Sequence, residues 1–92
     1  MFVAVTCESS SDDHRLAIFD VLRQYGFKMV LQDVHESTSI SDISLNRLKR
    51  DLDRVTDSFD VIRLYQFPID GTLAITALKE KKWRRFKVMT AG

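Results

Sequence analysis

The sequence predicts an α+β fold: two helices covering one face of an antiparallel sheet, with an extra C-terminal strand or hairpin. Three observations predict it. An apolar, β-branched run opens the chain; two stretches repeat apolar residues at helical spacing on either side of an extended segment; and an aromatic, β-branched run closes at a proline. At 92 residues the chain can build one core but not two, so residues 1–67 are read as the core and 68–92 as an appendage of the same domain.

FVAVT at Phe2 to Thr6 has the near-continuous apolar character of a buried central strand, and the polar stretch from Glu8 to Asp13 ends it. Asp12 or a neighbouring Ser caps a first helix. Its apolar residues Leu16, Phe19, Leu22 and Tyr25 recur at helical spacing, Ala17, Ile18 and Val21 widen the stripe, and Gly26 supplies the stop. FKMVLQDVHES, from Phe27 to Ser37, mixes apolar and polar positions and reads as one long strand or two short ones around Leu31 to Asp33.

Several N-caps between residues 37 and 42 introduce a second helix. Leu45, Leu48, Leu52 and Val55 mark one of its faces, while Arg47, Lys49, Arg50, Asp51, Asp53 and Arg54 cover the other. DVIRLYQF, Asp60 to Phe67, is a strand closed by Pro68, with Asp70-Gly71 forming a turn. Residues 73–89 fit either a helix or a strand pair turning at Glu80 to Lys82. Ile75, Thr76, Trp83, Phe86 and Val88 are strand-favouring types and favour extended structure. Strand, helix, one strand or two, helix, strand is the order of a ferredoxin-like βαββαβ domain. Many unrelated functions use that fold, so function must be argued from residues.

Fourteen Lys and Arg against 13 Asp and Glu give a net charge of +1, so any nucleic-acid site is a local patch. Cys7 is the only cysteine, which excludes an intrachain disulfide and a Cys-based zinc cluster; it reads as a small apolar strand residue. No run of about 18 apolar residues is present, and the N-terminus lacks the pattern of a signal peptide, so the expectation is a cytoplasmic protein without membrane contact. A short chain with 45% hydrophobic residues has much to bury, which suggests a second copy.

These segments together resemble the CRISPR-associated Cas-two family, the small subunit of the spacer-acquisition machinery. MFVAVTCE followed by SDDHR looks like the family's first strand with its terminal acid and the start of its first helix. QYGF is similar to the tyrosine-glycine helix ending, DVHES stands where the family has an aromatic, a Glu and a small residue, and IRLYQF resembles the final ferredoxin strand. The resemblance covers residues 1–67 in order and spacing. It implies a prokaryotic, homodimeric adaptor that bridges dimers of the Cas-one integrase and holds double-stranded spacer DNA by its phosphates, with the last strand or strands of one subunit padding the sheet of the other. It also implies a metal-dependent nuclease in some members, acting on single-stranded RNA or double-stranded DNA through the acid ending the first strand.

Two departures bear on the nuclease. Cys7-Glu8 replaces the usual Tyr-Asp, and His35 replaces the usual aromatic. Glu8 is thus the candidate catalytic residue and Mg²⁺ ligand at the dimer axis, where a two-fold could bring both Glu8 side chains onto one ion with Asp12 or Asp13 in its outer shell, but its carboxylate lies one methylene further out than that of Asp, and magnesium demands near-octahedral oxygens. The alternative is an exposed strand-end residue. His14 and His35 belong to no recognisable metal spacing and read as solvated or satisfied histidines; Ser9, Ser10 and Ser11 read as loop and cap residues.

The strongest electrostatic feature is the basic tail of Lys79, Lys81, Lys82, Arg84, Arg85 and Lys87, interleaved with Trp83 and Phe86. Such a strip drives salt-sensitive phosphate binding. Lys81, Lys82, Arg84 and Arg85 are therefore the candidate nucleic-acid contacts, joined by Arg15 from family position, while Trp83, Phe86 and Tyr65 are candidates for the dimer interface. The alternatives are a solvated edge strand and a ferredoxin-like regulatory or RNA-binding module unrelated to CRISPR. The RNA version would need exposed stacking aromatics that FKMVLQDVHES lacks.

Overall fold

The structure, a computed structural model, describes residues 1–67 and 72–88, the last two by their backbone alone. Eight elements follow in order: β1 (Phe2–Glu8), α1 (Asp12–Gln24), β2 (Lys28–Leu31), β3 (Val34–Ser37), α2 (Asp42–Arg54), β4 (Val61–Phe67), β5 (Leu73–Lys79) and β6 (Lys82–Val88). The strands form one antiparallel sheet in the order β2-β3-β1-β4-β5-β6. This α+β arrangement is compatible with the expected ferredoxin-like core, and the tail is extended. The expected turn at Asp70-Gly71 lies outside the described residues.

Cap chemistry sets the helix ends. The Ser11 hydroxyl accepts from the His14 amide at 3.2 Å, and the Ser41 hydroxyl from the Ser44 amide at the same distance. At the far end of α1, Gly26 (φ 84°) takes the left-handed conformation. The Gly26 and Phe27 amides then donate to the Arg23 and Leu22 carbonyls, and Phe27 folds into the core.

Both helices lie on one face of the sheet. Val3, Val5, Ile62, Leu64 and Leu78 alternate inward and join Ile18, Phe19, Val21, Leu22, Leu45, Leu48 and Leu52 in a single core cluster. Leu16 departs from expectation, being 62% exposed. The inward stripe of α1 runs through Arg15, Ile18, Phe19 and Leu22, so Leu16 sits about 100° off it.

The two-residue β5–β6 turn places Glu80 (φ 54°) and Lys81 (φ 64°) in the left-handed region, the geometry of a type I′ hairpin. The hairpin is pinned to α2 from within the same chain. The Lys81 ammonium donates to the Thr56 carbonyl at 3.0 Å and to the Asp53 carbonyl, and it pairs with the Asp53 carboxylate at 3.1 Å. The Trp83 indole N–H donates to the Lys49 carbonyl at 3.2 Å. A cation at a helix C-terminus offsets the negative end of its dipole.

Candidate nucleic-acid interface

Strand alternation decides which tail residues share a surface. Opposed residues of an antiparallel pair face the same side, so the register defines rows across the face that no helix covers. At one end, Glu8, Val61, Lys79 and Lys82 form a row. The next is Thr6, Arg63, Ala77 and Arg84, followed by Ala4, Tyr65, Ile75 and Phe86, while Phe2 and Phe67 open the last. The face therefore grades from cationic to apolar. Phe86 is 53% and Phe67 47% exposed, and the Phe2 and Phe67 rings meet edge-on with centroids 5.5 Å apart.

The basic tail is split by this alternation. Lys82, Arg84 and Phe86 face the open side; Trp83 and Arg85 face the helices. Trp83 is half-buried against the core cluster, beneath the Lys49 ammonium at 6.0 Å. Burial and then the charge of Arg85 lower the pKa of Lys49. Lys81 is committed to the end of α2. Arg15 pairs with Asp33 at 2.8 Å, with its guanidinium 5.2 Å over Phe19, so it ties α1 to the β2–β3 turn. Of the expected dimer residues, Tyr65 and Phe86 share a row on the open face and Trp83 lies on the other side of the sheet.

Glu8 is exposed at the end of β1, in a shallow groove lined also by Thr6, Cys7, Val61, Arg63 and Lys79. Its charged neighbours there are cations, and it belongs to no group of three potential metal ligands among the described residues. Magnesium needs several oxygen ligands, so this donor set within one chain does not fit Mg²⁺. Burial, with Asp33 adding to it, pushes the Cys7 thiol up to about 11, which makes it a poor nucleophile.

A second cluster has no counterpart in sequence spacing. The Asp60 side chain is fully buried between β1 and α1, accepting from the Ser10 amide at 2.6 Å, the Asp57 amide at 2.8 Å and the His14 ring at 2.8 Å. Burial would raise its carboxyl, but the hydrogen bonds from Ser10, Asp57 and His14 hold it down to about 2. Asp57 adds a second carboxylate 3.7 Å from His14 Nδ1. Three donors from two separate stretches of chain converge on Asp60, so the cluster reads as a clamp joining the start of α1 to the loop before β4. It supports no magnesium site, since magnesium takes oxygen rather than imidazole. His14 is thus satisfied, as expected. His35 is neither solvated nor satisfied: it is buried on β3 with its ring centroid 4.6 Å from that of Phe19 and its Nδ1 unpartnered.

No family model matches this chain, and no curated protein matches it. No helix among the described residues is long and apolar enough to cross a membrane.

Proposed function

We propose that the chain is a Cas-two-type adaptor: a ferredoxin-like homodimer, working in the cytoplasm of a prokaryote, that bridges dimers of the Cas-one integrase and holds double-stranded spacer DNA by its phosphates. One observation carries the reading. The open sheet face presents an unburied aromatic half, with Tyr65, Phe67 and Phe86, directly beside a cationic half, with Arg63, Lys79, Lys82 and Arg84. An apolar surface rimmed by charge is what a protein interface beside a phosphate contact requires. The sequence resemblance supplies the identity of the partners.

The magnesium-dependent nuclease is not carried forward as a mechanism, because the charged groups beside Glu8 are Arg63 and Lys79 rather than carboxylates. Co-expression with the Cas-one integrase of the same CRISPR locus tests the adaptor. The complex is expected to co-purify and to insert duplex spacer DNA into a repeat-bearing target. A chain that neither associates with the integrase nor supports insertion overturns the reading and leaves the regulatory module.

A further inference from the structure

We infer that His14, Asp57 and Asp60 form a binding site for a divalent transition-metal ion, zinc in particular, which locks the start of α1 to the loop before β4. The inference does not rest on the adaptor reading, and the site is separate from Glu8, which faces the other side of the sheet. One ring nitrogen of His14 and one carboxylate oxygen of each Asp lie within 4.8 Å of one another. His14 Nδ1 is 2.8 Å from Asp60 Oδ2 and 3.7 Å from Asp57 Oδ2, with the Ser10 hydroxyl 3.2 Å away. Around a tetrahedral zinc ion with bonds of about 2.0–2.2 Å, neighbouring ligand atoms stand roughly 3.3–3.6 Å apart. The observed separations from Nδ1 bracket that value.

Charge points the same way. Two carboxylates face a single imidazole, so the cluster keeps an uncompensated negative charge whether or not His14 is protonated. Among the described residues neither Asp57 nor Asp60 pairs with a Lys or Arg, and the Asp60 side chain is fully buried, where charge without a counter-ion is costly. A divalent cation neutralises it. The carboxylates are also held from behind, as metal ligands are: Asp60 accepts from the Ser10 and Asp57 amides, and Asp57 Oδ1 accepts from the Phe59 amide at 2.8 Å, which leaves Asp57 Oδ2 for the ion. One nitrogen and two oxygens suit zinc and select against magnesium and calcium, which take oxygen alone. Binding replaces the hydrogen bond between His14 and Asp60. The ring carries its proton on Nε2, Nδ1 turns its lone pair to the ion, and water takes the fourth position beside the Ser10 hydroxyl. The His14–Asp60 contact must open by only about 0.5 Å to reach the tetrahedral spacing, and the Asp57 side chain, 46% exposed, has room to swing onto the ion.

The test is thermal melting of the metal-stripped full chain across a series of zinc chloride concentrations, with magnesium chloride in parallel and the imidazole resonances followed by NMR. An ion bound only by the folded chain stabilises it, so zinc at a hundredfold over its Kd should raise the melting temperature by about 10 °C or more. One ion should bind per chain, and the resonances of His14 rather than His35 should shift. Magnesium at the same concentration should leave the melting temperature unchanged. Asp57→Asn keeps the acceptor for the Phe59 amide, so its metal-free melting temperature should hold while its zinc affinity falls at least tenfold. His14→Gln should lose the zinc-induced rise, and His35→Phe should retain it. The inference is overturned if zinc gives no rise, if magnesium gives the same rise, or if zinc affinity is unchanged in either Asp57→Asn or His14→Gln, the mark of an ion bound elsewhere on the surface. Neither DNA nor integrase enters the measurement, so its failure leaves the adaptor reading standing.

Discussion

His35 carries a polar atom into the core without a partner. Its ring packs on Phe19 and is only 5% exposed, and burial, assisted by the charge of Arg23, lowers its pKa below the usual 6.5. The neutral ring is the folded form, so the unfolded chain binds the extra proton. Stability is then complete above pH 6.5 and declines as pH falls below it. Asp60 adds a second, more acidic step: its depressed carboxyl contributes stability above 3.8 that is lost as pH falls through about 2. Denaturant melts between pH 7.5 and 2.5 should show both declines. His35→Phe keeps the ring contact and removes the unpaired nitrogen, so it should raise stability by about 1 kcal/mol and abolish the upper decline alone. An unchanged upper decline would assign it to another group. That His14 is satisfied was legible but its partner was not, because Asp60 lies 46 residues away, and His35's buried ring was not legible at all.

The C-terminal hairpin forms as the strand-favouring residues predict, with its turn at Glu80 and Lys81, although the sequence left a helix open as the alternative. Residues 73–89 carry no Gly, Asn or Asp to announce a turn, and their periodicity fits a helix as well as strands. What decides is tertiary: β4 offers a free edge, and Lys81 and Trp83 dock on the carbonyls of α2. That docking explains why two non-glycine residues hold positive φ, at about 1 kcal/mol each. Glu80→Gly should stabilise the chain by roughly 0.5–1 kcal/mol in thermal melts, while Lys81→Gly should destabilise it, since relief of the turn is outweighed by the lost cap. Equal shifts of the same sign would sever the hairpin's link to α2. The core elements were legible because their periods were clean, and so were the basic tail and its aromatics as a composition. The surface they form was not. Arg63 is a lone cation in an apolar strand, and only the register sets it beside Lys79 and Arg84.

At the scale of the molecule, the proposed dimer would use the open face as its interface. Burying about 1,000 Å² or more is what a specific contact needs, and the exposed Phe86 and Phe67, with the half-buried Tyr65, Ile75 and Phe2 beside them, would supply its apolar centre. Tyr65→Glu/Phe86→Glu should convert a dimer into a monomer by light scattering and remove the concentration dependence of the melting temperature, with the helical circular dichroism retained. A monomeric unsubstituted chain at tens of micromolar would contradict it.

The alternation that sends Trp83 to α2 and Arg84 to the opposite side also constrains how the tail can evolve. A single inserted or deleted residue within β6 would exchange its two sides at once, driving a guanidinium toward the helix and the indole into solvent. Length variation in this strand should therefore be tolerated in steps of two, and drift in its charges should proceed independently on alternate positions.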